Sequence, residues 1–183
     1  MLGGDDLIGR LAEWLATARA DEAVAARARQ RWLRVAADES ASFAGTLLDL
    51  AERGALVLVS TAADRRHRGV LVGVGADFVA LRTPQGTGVF LAFAGIASVR
   101  VEHAGSIPAG DRIVLVELGL AEALAALAPD RPRVLIVSTA TAEGVAGELQ
   151  SVGRDVAVVR PDGDSSAVVY LPLATIAEVR LTH

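Results

Sequence analysis

The chain has 183 residues, 52% of them hydrophobic, so it can bury the core of one ordinary domain or two small ones. Its 18 basic residues are outnumbered by 22 acidic ones, and the net charge of −4 argues against a general phosphate-binding surface while leaving a local patch open. Because there is no cysteine, disulfides, thiolate metal sites and cysteine nucleophiles are all excluded.

The N-terminal segment, residues 1–38, has no proline, and no glycine after Gly9, which predicts a helix. Apolar residues recur along it at three- and four-residue spacing, typical of a heptad seam, with a flaw at Asp21. The seam predicts a dimerisation or docking helix, or alternatively a helix folded over its own chain, which the short, alanine-rich pattern favours. The candidate oligomerisation residues are Leu11, Trp14, Ala18 and Trp32.

Most of the remaining chain is an internal repeat with two copies. Residues 56–83 align without a gap with residues 134–161, at an offset of 78, and ten of the 28 pairs are identical. The motif IASVRV at Ile96 returns as IAEVRL at Ile176, at an offset of 80. An insertion between two similar blocks is typical of a surface loop.

Each copy is predicted to be a helix followed by five short strands. In the first copy, residues 39–101, the helix lies in SASFAGTLLDLAERG, with Ser40 or Ser42 as its N-cap and Gly54 as its stop. In the second copy, residues 117–183, the helix lies in GLAEALAALAPDRP and is expected to end at its prolines, Pro129 and Pro132. Residues 102–116 form a linker. Five Val-, Leu- and Ile-rich runs with tight connections then predict a small antiparallel barrel in each copy.

The turn between the second and third strands contains Gly75-Ala76 in one copy and Gly153-Arg154 in the other. A Gly-X pair suits a type II′ hairpin, in which the glycine has a positive φ. Asp77 and Asp155 follow directly, and we expect each carboxylate to bind the backbone of its own turn rather than to act in catalysis.

The paired segments VGADFVALR and VGRDVAVVR, with G-x-L-x-x-V before the third strand and I-x-x-V at the end, resemble the Sm-like small-barrel family of LSm and Hfq proteins. They resemble more closely uncharacterised bacterial proteins with one or two such barrels, which imply no known activity. Other SH3-like barrels also have five short strands. The resemblance implies two tandem five-stranded antiparallel barrels, each preceded by a helix, after the N-terminal helical segment.

The RNA pocket of that family does not carry over. Relatives that bind uridine-rich RNA have an Asp and an Asn six and ten residues after the motif glycine, and an Arg-Gly before the last strand. The first two places hold Gly75 and Val79 in one copy and Gly153 and Ala157 in the other, and the last motif reads AGI and ATI. The resemblance does imply an assembly mode, in which the fourth strand of one barrel pairs with the fifth of the next. A tandem chain would form one such joint internally and keep a free edge at each end.

A basic hairpin, DRRHRG, occurs in the first copy only. It predicts an RNA or anion contact, or alternatively a solvated hairpin whose charges discourage aggregation. The candidate contact residues are Arg65, Arg66, His67 and Arg68, with Phe78 and Arg82 nearby in sequence.

Enzyme chemistry has little support in the sequence. The three histidines, His67, His103 and His183, are scattered, and no paired metal-ligand spacing or nucleophile elbow is present. We therefore expect no catalytic residue, metal or cofactor. The sequence favours a non-catalytic interaction or assembly module that binds itself or a protein partner; the alternative is an RNA-associated protein that uses the basic hairpin.

The first ten residues carry acids where a signal peptide needs a basic start, and no apolar run reaches the roughly 18 residues that span a bilayer. We therefore expect a cytoplasmic protein without a membrane partner.

Overall fold

One long helix, α1 (Gly4–Ser40), accounts for nearly all of the first of two structural units, Met1–Ala41 and Ser42–His183. The computed structural model describes residues 4–102, 110, 112, 117–139, 143–164 and 166–182, with the backbone alone for residues 4–12. The helix predicted from the lack of proline is therefore confirmed. Most of the predicted linker lies outside the described residues. Within the described ranges, no helix is long and apolar enough to cross a membrane.

The second unit contains the helix and five strands predicted for each copy. In the first repeat these are α2 (Phe43–Glu52), β1 (Leu56–Thr61), β2 (Arg66–Val74), β3 (Phe78–Arg82), β4 (Gly88–Ala92) and β5 (Ile96–Val101). In the second repeat they are α3 (Leu120–Leu127), β6 (Arg133–Ser138), β7 (Gly144–Val152), β8 (Val156–Pro161), β9 (Val169–Pro172) and β10 (Ile176–Thr182). In both repeats a short 3-10 turn, Phe93–Gly95 or Leu173–Thr175, joins the fourth strand to the fifth.

The ten strands of the described residues belong to one antiparallel sheet, in the order β5-β1-β2-β3-β4-β10-β6-β7-β8-β9. Each repeat therefore has the order fifth, first, second, third, fourth, and the two sets meet where β4 pairs with β10. The prediction of a mainly β, antiparallel fold with helices is confirmed, and the ten strands form a single open sheet.

Two apolar cores correspond to the two repeats. The first is built on Leu47 and Leu50 of α2 over alternate residues of β1 to β4, such as Val59 and Leu81. The second is built on α3 over β6, β7, β8 and β10. Side chains from the opposite face of β3 and β4 also enter the second core: Phe78, Ala80, Phe90 and Ala92. The first repeat thus helps to bury the second.

The ends of α2 follow the predicted signals. The Ser42 hydroxyl accepts a hydrogen bond from the Gly45 N–H at 2.9 Å, so Ser42 is the N-cap. At the other end Gly54 has a φ of 60°, and the N–H groups of Gly54 and Ala55 bind the carbonyls of Ala51 and Leu50. This is the left-handed glycine stop that closes the last carbonyls of a helix.

The end of α3 follows the prediction. The α-helix ends at Leu127, and Pro129 lies two residues later in a 3-10 turn, Ala128–Asp130, where its missing N–H costs nothing. That turn ends at Arg131, which takes a left-handed conformation with a φ of 46° and is followed by Pro132.

The prediction of a type II′ turn was wrong. Among the described residues, the glycines with positive φ do not include Gly75 or Gly153. Gly75 is needed for space instead: a Cβ there would collide with the Phe78 ring and the Leu118 carbonyl. The Gly75 N–H donates to the Phe78 carbonyl, and the next N–H, of Ala76, donates to Leu118 rather than across the hairpin.

Candidate assembly interface

The joint between the repeats is a strand pairing of β4 with β10. Glu178 lies opposite Leu91, Val179 opposite Phe90 and Arg180 opposite Val89. The fourth strand of one repeat thus pairs with the fifth strand of the other, as the resemblance implied. Strand β10 has a second neighbour, β6, on its other side, so it is an interior strand of the sheet.

Aromatic packing supports this joint from the side of the second core. Phe78 and Phe90 of the first repeat lie with their ring centroids 5.9 Å apart. Both pack into the second core, which also holds Val179 and Leu120. The joint therefore combines backbone pairing with burial of apolar area, which is the larger stabilising contribution in most protein contacts.

The backbone approaches closely at the 3-10 turn before β5. A Cβ added at Gly95 would lie 2.8 Å from the Cα of Ala177 in β10. Real Cβ atoms do not come so near to backbone, so only glycine permits β10 to pack at this distance.

Asp77 forms a second link between the repeats. Its Oδ1 accepts a hydrogen bond from the Leu120 N–H, at 2.7 Å, at the start of α3. Residue 119 is a glycine and has no side chain to cap this helix, so the first repeat supplies the cap. The expectation that Asp77 would bind its own turn was wrong, because α3 presents unpaired N–H groups to it.

Two ionisable side chains contact the buried Glu178 at the joint, and the three residues are here termed the Glu178 cluster: Arg65, His67 and Glu178. The Glu178 side chain is 0% exposed, and its Oε2 lies 2.8 Å from His67 Nε2 and 3.1 Å from Arg65 Nε. The Arg65 N–H is not aimed at that oxygen, so this contact is an ion pair without a hydrogen bond. In the described part of the chain, Glu178 Oε1 has no hydrogen-bond partner.

The predicted RNA-contact residues are divided among several environments. Arg65 and His67 belong to the Glu178 cluster, and Phe78 is buried in the second core. Arg68 holds Glu102 through its Nε and Nη2 atoms, the shortest distance being 2.7 Å; this pairing raises the pKa of Arg68 above its ordinary value. Arg66 and Arg82 are exposed.

Beside the hairpin is an open cleft of about 550 Å³. Its lining includes Arg66, Arg68 and Arg180, with polar groups from Thr83, Gln85 and Thr87. Arg82 is not among the lining residues. Two hairpin arginines thus converge here with a cation from the second repeat.

Among the strands that the structure describes, the outer edges of the sheet are β5 and β9, a fifth strand and a fourth strand. At the β9 edge Tyr170, 68% exposed, takes the place that Phe90 has at the joint. At the other end Phe43 opens α2 and is 46% exposed, whereas Leu120, which opens α3 beneath Phe78, is 5% exposed. Both ends thus expose apolar groups at positions that the joint covers.

The candidate oligomerisation residues lie on α1. Trp14 and Trp32 are 18 positions apart, which is five helical turns, so they share one face, and both are exposed. Ala18 is exposed on the same helix, and the Leu11 side chain lies outside the described residues.

Sequence reasoning missed Glu178 as a site residue. The available signals were a carboxylate in an apolar strand where the first copy has Ser98, and a basic hairpin with no counterpart in the second copy. The described residues contain no group of three or more His, Cys, Asp or Glu side chains placed to hold a metal ion. No protein-family model matches the chain, and no curated protein matches it at a significant level of similarity.

Proposed function

We propose that this chain is a non-catalytic assembly module built from two Sm-like small barrels, whose free edges pair head to tail with a second copy. The observation that carries the proposal is the β4–β10 pairing. It is the same kind of contact, formed within one chain, that the two free edges would form between chains.

The internal order of each repeat supports the small-barrel part of the proposal. A helix precedes five antiparallel strands in the order fifth, first, second, third, fourth, and a 3-10 turn links the last two. Strand sets of this kind resemble the Sm-like barrels, which are bent sheets with open edges.

The outer edges support a second copy as the partner. Strand β9 is a fourth strand and β5 is a fifth strand, so β9 of one chain can pair with β5 of the next as β4 pairs with β10. Such an addition would cover Tyr170 and Phe43. The contact is heterologous, so it leads to a ring if the rotation closes and to a filament if it does not.

Helix α1 offers a further contact between copies. Its two exposed tryptophans lie on one face, and apolar residues on one face of a helix are typical of helix pairing. Deleting residues 1–37 should lower the mass of the assembly by reducing the number of chains in it, while the repeats stay folded.

Light scattering over a wide concentration range tests the proposal. Wild type should form particles larger than one chain, and Tyr170→Lys should shift them toward single chains, because an edge lysine opposes strand addition. Val72→Lys is the matched control: Val72 is also exposed and apolar, but lies on β2, between β1 and β3. Single chains at every wild-type concentration, or an unchanged mass for the Tyr170 variant, would contradict the proposal.

The cleft favours one second candidate, contact with single-stranded RNA. Arg66 and Arg180 line it, and neither has an ion-pair partner among the described residues. RNA binding at this cleft would fall with salt, and replacing both arginines with Ser would reduce the slope by about 0.7 for each phosphate that is no longer neutralised. Because the family's Asp, Asn and Arg are absent, we expect no tight binding of uridine-rich strands at physiological salt, and fluorescence anisotropy measures this directly.

A further inference from the structure

We infer that the Glu178 cluster and Gly95 are specificity determinants that restrict the close joint to a first repeat meeting β10 of a second repeat. Repeats would therefore alternate in an assembly, with tight joints inside each chain and weaker joints between chains. This inference rests on the proposed function, because it concerns the same strand edges.

At the outer edges, the residues that correspond to the Glu178 cluster cannot form the same contacts. By the repeat alignment, Ser98 stands for Glu178, Glu143 for Arg65 and Val145 for His67. A β9–β5 joint would therefore place a serine opposite a carboxylate and a valine. The Arg65–Glu178 ion pair and the His67–Glu178 contact of the internal joint have no counterpart there.

The close approach of backbone that Gly95 permits at the internal joint is also missing at the outer edges. Thr175 ends the 3-10 turn of the second repeat as Gly95 ends that of the first. A Cβ at Gly95 would lie 2.8 Å from the Ala177 Cα, and Thr175 carries such a Cβ. Unless the backbone at Thr175 shifts, the distance between β9 and an added strand β5 must therefore be larger than the distance between β4 and β10.

A buried ion pair can select a partner even where it adds little stability. Taking charges out of water offsets most of their attraction, and an apolar replacement is often as stable, whereas a buried charge without its partner is strongly unfavourable. If β10 paired with β9 of another chain, Glu178 would face Glu143 and Val145 instead of Arg65 and His67. Two carboxylates would then meet, so the joint between two second repeats is opposed.

Transplanting the determinants to the outer edges tests the inference. The triple variant Ser98→Glu, Glu143→Arg, Thr175→Gly gives those edges the ion pair and the glycine of the internal joint. Ser98 and Glu143 are exposed, so the charge changes do not enter either core. In sedimentation velocity, the Kd for association of the triple variant should fall at least tenfold relative to wild type.

The single variant Ser98→Glu is the matched control with the opposite expected sign. It places a carboxylate against Glu143, so it should raise the Kd. Circular dichroism verifies that each variant is folded, and Glu143→Arg with Thr175→Gly provides a second folded background for adding or omitting the glutamate.

A folded triple variant that associates no more tightly than wild type would overturn the inference, as would a Ser98→Glu variant that tightens association. If wild type remains a single chain at all concentrations, the proposed function fails while the inference is still decided by the triple variant. Association gained only by the triple variant would support it.

Discussion

Strands β5 and β10 have nearly the same sequence, IASVRV and IAEVRL, yet they differ in burial. Residues Ile176 to Val179 of β10 are all buried, whereas no residue of β5 is. The interior strand carries the glutamate, and the edge strand, which is only partly buried, carries the serine. Burial is therefore set by the number of neighbouring strands, and the residue pattern within one strand does not reveal it.

The two helices differ in the same way. Ser42, the residue before α2, caps that helix, whereas the cap of α3 is Asp77, which lies 43 positions earlier in the chain. The first repeat is self-sufficient at this point, and the second depends on the first. The repeats are thus similar in fold and unequal in their dependence on the joint.

The largest effect should come from the glycine that allows close approach. Gly95→Thr should destabilise the protein by about 1–3 kcal/mol, the usual cost of forcing atoms into a packed site. Its counterpart Thr175→Gly introduces no clash; it adds backbone freedom and removes an exposed hydrogen bond from the Thr175 hydroxyl to the Pro172 carbonyl, and the loss should be about 1 kcal/mol. Urea unfolding measures both, and equal losses would mean that Gly95 is not needed for the joint.

An intermediate effect is expected for the two turn aspartates. Asp77→Ala removes the cap of α3 and should cost about 0.5–2 kcal/mol. Asp155 is exposed, and its side chain has no hydrogen bond among the described residues, so Asp155→Ala should fall within about 0.5 kcal/mol of wild type. Thermal unfolding compares the two variants. A larger loss of stability for Asp155→Ala than for Asp77→Ala would contradict the conclusion that the second repeat depends on the first.

The smallest effect concerns the loops between the third and fourth strands. Ser166 donates two hydrogen bonds to Asp164 and holds its pKa below the ordinary value, whereas the first-repeat loop, Thr83 to Thr87, has no ionisable side chain. A depressed folded pKa gives stability that is present above the unfolded pKa, about 3.9, and is lost as pH falls through the folded pKa.

Asp164→Ala should therefore be slightly less stable than wild type near neutral pH and converge with it in acid. Chemical unfolding at a series of pH values measures the difference. Gln85→Ala in the first-repeat loop is the control and should show a difference from wild type that does not change with pH. A pH-independent difference for the Asp164 variant would show that the loop carboxylate is not involved.

Local signals predicted the elements of this fold well. The Gly54 stop and the ten short strands were predicted correctly, and the cap of α2 is one of the two serines predicted for it, Ser42 rather than Ser40. Helix caps and strand runs depend on residues within a few positions of one another. The Gly75 turn was predicted incorrectly because a glycine can be required for space as well as for φ. One of the two groups that occupy the space, the Leu118 carbonyl, is distant in the chain, and the other is the Phe78 ring.

By itself the sequence determined the duplication, the order of elements in each copy and the apolar faces, because these follow from short-range spacing. Only the tertiary structure decided that Glu178 is buried against Arg65 and His67, that Asp77 caps α3 and that Gly95 lies on Ala177. His67 and Glu178 are 111 positions apart, and neither strand's pattern contains information about the other. The curvature of the sheet and the β4–β10 pairing bring them together, and the electrostatics of the joint arise only at that point.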